Sequence, residues 1–369
     1  MNWYDYYFPQ EMMEQADAIE NCLNLLEEQI ELIAQKSKNV KEVHIVGSGD
    51  CYFIGFAAAH AFKKYSGISA TGYEAYDYFL LKPKVDEDTL VVLFSSSGRS
   101  LYVLKSLEYV KQQNGISVGV TNHEESELGK DSSIPLITVA TGVSKSFPTK
   151  TTTSGLALMY ALACKLGVIK GYISSEDAVE FMTELKVAVP DVIRRIYETE
   201  YPKIKDNIQK FLGSKCYAFI GSGPSRSASM VGAAKIIETN HCHIMTTNAE
   251  EYLHMNGFCI MSSDSVIVIG SNLTDHREAQ AVEYAEQQCA RVLVVGNVQC
   301  EEKENTVKVA PFISELSPFA AVLASMVVLH LFACELARLS NTDPDVPRHV
   351  NLKHVIGLLY TGPVAGWQV

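Results

Sequence analysis

Lys41–Gly49 reads KEVHIVGSG, and Lys215–Gly223 reads KCYAFIGSG. Each is an apolar run that ends in Gly-Ser-Gly, and the two turns, starting at Gly47 and Gly221, are offset by 174 residues. Working outward, other landmarks keep nearly the same offset. Val91–Phe94 matches Val266–Ile269, Val118–Asn122 matches Leu293–Asn297, and Ile134–Val139 corresponds to Val307–Pro311. An ordered series of such matches is an internal repeat. Within each copy, short apolar runs alternate with helical stretches, the pattern of a parallel sheet covered by helices on both faces. The expected fold class is therefore α/β: two doubly wound parallel-sheet domains in tandem.

The rest of the chain falls around these repeats. A helical lead-in occupies 1–38, the first α/β domain 39–171, a helical bridge 172–212, the second α/β domain 213–340, and a tail 341–369. The bridge opens on the cap-like Ser174–Ser175–Glu176–Asp177, and the tail on the turn-rich Asn341–Pro347. A length of 369 residues exceeds one ordinary core. Hydrophobic residues at 47% and charged residues at 20% are the balance of a globular protein. A formal charge of −12, with no basic stripe, argues against a nucleic-acid partner but leaves room for a small phosphate ligand. Nine cysteines without a C-x-x-C pair, and an N-terminus without a signal-peptide pattern, point to reduced thiols in the cytoplasm. The apolar run Ala320–Leu336 carries His330 and Glu335, so it is expected as a buried core helix and no membrane contact is expected.

In open parallel sheets, ligands bind at the carboxyl ends of the strands. That singles out Gly47–Cys51, Ser95–Ser100, Gly221–Arg226 and Ser271–Asp275. Phe94–Ser100 reads FSSSGRS at the end of an apolar strand and leads into the helical run Leu101–Gln112. Its hydroxyls, the turn at Gly98 and the amides of the next helix suit a phosphate monoester. An N-capped serine turn would read the same way. Lys235 and Glu238 share one helix face in AAKIIE, and His254 follows sixteen residues after Glu238. Taken alone, these residues fit a solvated ion pair and a structural histidine. His241–Cys242–His243 has no second pair at ligand spacing, so no metal is expected. The Gly-Ser-Gly turns lack the third glycine of a dinucleotide fingerprint.

Taken together, the motifs resemble SIS (sugar isomerase) domains, such as those in the isomerase half of glucosamine-6-phosphate synthase and its stand-alone relatives. The strand, Ser-x-Ser-Gly-x-Ser loop and helix at 91–112 resemble the family's phosphate-binding signature. Ser117–Leu128 (SVGVTNHEESEL), Phe147–Thr153 (FPTKTTT), Gly221–Glu238 and Asp343–Val355 (DPDVPRHVNLKHV) follow in the family's order, and Pro9–Ile19 resembles its lead-in helix. The resemblance implies a phosphorylated sugar held at Ser95, Ser96, Ser97, Gly98 and Ser100, with Gly49, Cys51 and Thr149 beside it. It implies Glu238 as the carboxylate that moves a proton between C1 and C2, paired with Lys235. Lys353 would reach the carbonyl end, and His254, supplied by a neighbouring subunit, would assist ring opening.

Four positions depart from the pattern: Cys51 and Pro148 stand where serines are usual, Arg99 where a glutamate is common, and Met255–Asn256–Gly257 where Gly-Pro follows the histidine. The expected activity is a phosphosugar isomerase or deaminase acting on an amino or amine-linked hexose 6-phosphate, with no cofactor. Rival expectations are a fructosamine-6-phosphate deglycase and a non-catalytic phosphosugar-binding regulator. Glutamine-dependent synthesis is not expected, because no amidotransferase segment precedes the repeats. One phosphate site is expected per repeat pair, because the second copy reads GSNLTD (270–275) where the first has its serines. A homodimer or higher homo-oligomer with shared active sites is expected.

Overall fold

The first repeat builds a parallel sheet from Glu42–Gly47 (β1), Ser69–Glu74 (β2), Thr89–Phe94 (β3), Ile116–Thr121 (β4) and Ile134–Ile137 (β5), in the order β2-β1-β3-β4-β5. The second builds another from Tyr217–Gly221 (β6), Ile244–Thr247 (β7), Ser265–Ile269 (β8), Arg291–Val295 (β9) and Thr306–Val309 (β10), in the order β10-β9-β8-β6-β7. Read from β7, that is the order of the first sheet. The α/β doubly wound tandem is thus what the computed structural model contains; it describes residues 3–138, 147–273, 276–347 and 352–362, without the side chains of 352–355.

The central strands are apolar without alternation because both of their faces are covered. All six residues of β3 (TLVVLF) and all five of β8 (SVIVI) are buried. Corresponding pairs hold the two sheets in equivalent register, with Val43 opposite Leu90 in the first and Ala218 opposite Val266 in the second. Helix Leu101–Gln112 presents Val103, Leu107 and Val110, at helical spacing, to Val91 and Leu93. Each such side chain contributes about 1.5–3 kcal/mol by leaving water. Ala281, Val282 and Ala285 of helix Arg277–Gln287 do the same against β8 and β9.

By its internal packing the chain forms two compact units: residues 17–187 with 349–369, and residues 1–16 with 188–348. Each contains one sheet and one long apolar helix, Lys150–Ile169 in the former and Ala320–Ser340 in the latter. Both are long and apolar enough to cross a membrane, but their apolar stretches are 83% and 100% buried inside the protein. Helix Ala320–Ser340 tolerates His330 and Glu335 because each has a hydrogen-bond partner. His330 Nδ1 lies 3.0 Å from Gln15 Oε1, and Tyr201 Oη donates to Glu335 Oε1 at 2.6 Å.

Candidate active site

In the first sheet the strand order reverses between β1 and β3, so the turns after these strands open on one crevice. The loop after β3 is held by its own backbone. Gly98 N–H donates to Ser95 O (2.9 Å), Asn122 N–H to Ser96 O (3.0 Å) and Leu128 N–H to Gly98 O (3.1 Å). Gly98 has φ +66°, and a Cβ there would overlap Ser126 Oγ and meet Thr121 Oγ1 at 2.8 Å. Only glycine makes this turn without strain. The three hydroxyls converge: Ser95 Oγ lies 2.8 Å from Ser100 Oγ and 3.4 Å from Ser97 Oγ. Ser100 precedes helix Leu101–Gln112 but gives it no side-chain cap. The helix amides of the first turn and the serine hydroxyls are thus gathered at one strand end, an arrangement that can receive a phosphate.

Arg99 gives this loop a cationic border. Its guanidinium lies 3.4 Å from Glu127, and Thr361 N–H donates to Arg99 O at 3.1 Å. Ser100 also forms an antiparallel bridge with Tyr360, so residues 360–362 are seated on the loop. Burial, and then the Arg99 charge, hold His123 below the ordinary imidazole range.

Helix Lys150–Ile169 borders the same strand end. Gly155 leaves no Cβ to overlap the ring of Phe94, the last residue of β3. Thr149, fully buried, precedes this helix, and its Oγ1, like that of Thr151, has no hydrogen-bond partner among the described residues. A buried unpaired hydroxyl costs about 1–3 kcal/mol, which a hydrogen-bonding ligand would remove. Thr152 Oγ1 donates to Asp50 Oδ2 (3.1 Å), tying the helix to the start of helix Asp50–Ala61, where Cys51 is half-buried. Gly49, at φ +57°, turns the chain into that helix.

In the other unit, helix Ser225–Asn240 leaves the turn after β6. Gly232 packs it closely against Leu329, and Lys235 is wholly buried. Its Nζ donates to Glu238 Oε2 at 2.7 Å, while the Glu238 side chain keeps 26% of its surface exposed. This is not the solvated pair that AAKIIE alone would suggest. An ammonium sealed among helices needs a carboxylate, and that need fixes the carboxylate in place. His254 ends the short helix Ala249–His254; its side chain is 67% exposed and Nε2 lies 2.7 Å from Glu250 Oε1. The hydrogen bond from Arg277 holds the Glu250 carboxyl below its ordinary range.

The structure therefore gathers Ser95, Ser97, Gly98 and Ser100 in one unit and Lys235 with Glu238 in the other. Lys353 lies on helix Leu352–Leu359, and its side chain is outside the described residues. Sequence reasoning missed the seating of 360–362, for which no local pattern exists. It also missed the Glu250–His254 pair, which the four-residue spacing could have signalled.

Residues 38–165 match the family model described as the SIS domain. The glutamine–fructose-6-phosphate aminotransferase (isomerizing) of Thermotoga maritima is 25% identical over 368 residues, covering 94% of this chain. The chain spans 58% of that relative's length. Among solved structures, the C-terminal domain of glucosamine-fructose-6-phosphate aminotransferase from Francisella tularensis superposes with a TM-score of 0.84 at 20% identity, covering 93% of this chain and 98% of that one. Glucosamine-6-phosphate deaminase from Thermotoga maritima gives 0.71 at 21% identity, with 93% and 98% covered. Residues 38–165 are thus a SIS domain, and the second repeat has the same strand order.

Proposed function

We propose that the chain is a phosphosugar isomerase or deaminase that moves a proton between C1 and C2 of an amino or amine-linked hexose 6-phosphate. The observation that carries this reading is the buried Lys235 holding Glu238 at 2.7 Å while that carboxylate still reaches solvent. A proton shuttle next to a carbonyl or imine needs one such base, fixed in position and open to substrate. Ser95–Ser100 hold the phosphate, and Gly49, Cys51 and Thr149 border the sugar. Lys235 orients the base, Lys353 meets the carbonyl end, and His254, given by a second copy in a homodimer or larger assembly, assists ring opening. The setting is the cytoplasm. The similar Thermotoga maritima deaminase acts on glucosamine 6-phosphate, a substrate whose deamination needs the same C1/C2 transfer.

The test is a panel of hexose 6-phosphates, their 2-amino forms and their amine adducts, incubated in deuterated water and read by mass spectrometry. A cognate substrate should gain deuterium at the transferred carbon with the native chain and not with Glu238→Gln. Turnover in that variant should fall by roughly 10²–10⁴-fold, the usual contribution of a positioned base. Near-native turnover in Glu238→Gln would remove the assignment. Reaction of amine adducts alone would make the chain a deglycase, and binding without any reaction a sensor.

A further inference from the structure

The second repeat has its own crevice, at the equivalent place in its sheet, where the turns after β6 and β8 meet. A cavity of about 630 Å³ opens there, a second of about 440 Å³ opens beside it at the turns after β8 and β9, and the two share Ser271, Leu273 and Glu278. Their chemistry differs from the serine nest of the first repeat. Glu278, in the first turn of helix Arg277–Gln287, is only 5% exposed, lines both cavities, and makes no hydrogen bond or ion pair among the described residues. Around it stand the hydroxyl of Ser222 and the side-chain amides of Asn248, Gln280, Asn297 and Gln299.

We propose that this crevice is a second binding site, for a polyhydroxylated ligand that carries a protonated amine and no phosphate. A nearly buried carboxylate facing a cavity is a strong acceptor whose best partner is an ammonium or a pair of hydroxyls. The surrounding amides and hydroxyls both donate and accept, as a polyol requires. A dianionic phosphate would meet repulsion from Glu278 and Glu250. The cation beside them, Arg277, is already engaged, with hydrogen bonds to Glu250 and to Gln280 Oε1, the latter at 2.6 Å. Glu278 also supplies the negative charge that the helix N-terminus favours, so that end offers little attraction to a second anion. The strand order is thus the same at the two crevices, but the first gathers serine hydroxyls after β3 and the second sets the Glu278 carboxylate among amides. The site stands independently of proton transfer at Glu238.

Glucosamine, glucose and glucose 6-phosphate serve as probes of the full chain. Hydrogen–deuterium exchange of the native protein should show glucosamine slowing exchange across 270–280 and 297–299 while leaving 95–104 unchanged. By calorimetry, Glu278→Gln should weaken glucosamine by about tenfold, the cost of one charge-assisted hydrogen bond. The Ser95→Ala/Ser97→Ala variant should bind it as the native chain does. Glucose should bind more weakly than glucosamine, and glucose 6-phosphate should protect 95–104 in place of this crevice. Protection confined to 95–104, equal affinity in Glu278→Gln, or no binding of glucosamine overturns the proposal. Should Glu278→Gln fail to fold, the exchange map of the native chain decides alone.

Discussion

At Gly98 a single missing carbon shapes the candidate phosphate loop. The residue sits at φ +66°, where an L side chain is strained, and its hydrogens face Ser126 Oγ and Thr121 Oγ1. Both hydroxyls are themselves fixed. Ser126 Oγ donates to His123 O at 2.6 Å and accepts from Gly129 N–H at 3.1 Å, while Thr121 Oγ1 accepts from His123 N–H at 3.2 Å. Gly98→Ala must therefore move the loop, since its neighbours have nowhere to go. Stability should fall by about 1–3 kcal/mol, the cost of one residue in a sparsely populated backbone region. Sugar-phosphate affinity should fall with it, because Ser95, Ser97 and Ser100 converge only when the turn is tight. Ser97→Ala serves as the comparison: it removes one hydroxyl and its bond from Arg99 N–H but keeps Gly98 and the Gly98 N–H bond to Ser95 O. If calorimetry found native affinity for the same sugar phosphate in Gly98→Ala, the loop would not be the phosphate site.

Among the elements, helix Ala320–Ser340 shows what a sequence reveals and what it conceals. Its apolar run with two polar interruptions reads as a core helix, and it is one, buried from Ala320 to Ala337. What the run conceals is the state of His330. Gln15 Nε2 donates to Met12 O at 2.9 Å, so its Oε1 faces His330 Nδ1 as an acceptor and Nδ1 carries the proton. Nε2 is buried with no hydrogen-bond partner among the described residues. Burial, and then the charge of Lys235, push the imidazole well below its ordinary pKa of 6.5. The sign follows directly. Below about pH 6.5 the unfolded chain takes up a proton that the folded chain refuses, so stability is lost as pH falls from there toward the folded value, at up to about 1.4 kcal/mol per pH unit. His330→Asn can still donate to Gln15 and cannot titrate. It should be less stable than native at pH 7, and the gap should narrow at pH 5 in thermal melts. A gap of equal size at both values would mean that His330 does not set the acid limit. The repeats were legible because the apolar strand runs and the Gly-Ser-Gly turns are local. The burial of Lys235 was not, because AAKIIE reads alike on a surface and between packed helices. The carboxylate in the second crevice was hidden because GSNLTD shows no serine nest to draw attention, and Glu278 lies just beyond it.

At the scale of the whole molecule, the proposed sharing of His254 between two copies of the chain carries its own prediction. Ile237 is 52% exposed, Met255 60%, Phe258 71% and Met261 66%, all close in sequence to Glu238 or His254. His254 itself is 67% exposed and turned to Glu250. If it completes the site of a neighbour, the defect of one variant can be repaired by another. His254→Ala and Glu238→Ala should each be inactive in pure form. After mixing under conditions that let subunits exchange, half the dimers would be mixed, and each of these would contain one site with both residues intact. Activity should then return to roughly a quarter of native, the share expected for random pairing of two-fold dimers with shared sites. Sedimentation of the mixture should show the dimer persisting at assay concentrations. Were His254 to act within its own chain, every site would lack one residue or the other, and mixing would restore nothing. A fully active native monomer would rule out the shared site directly.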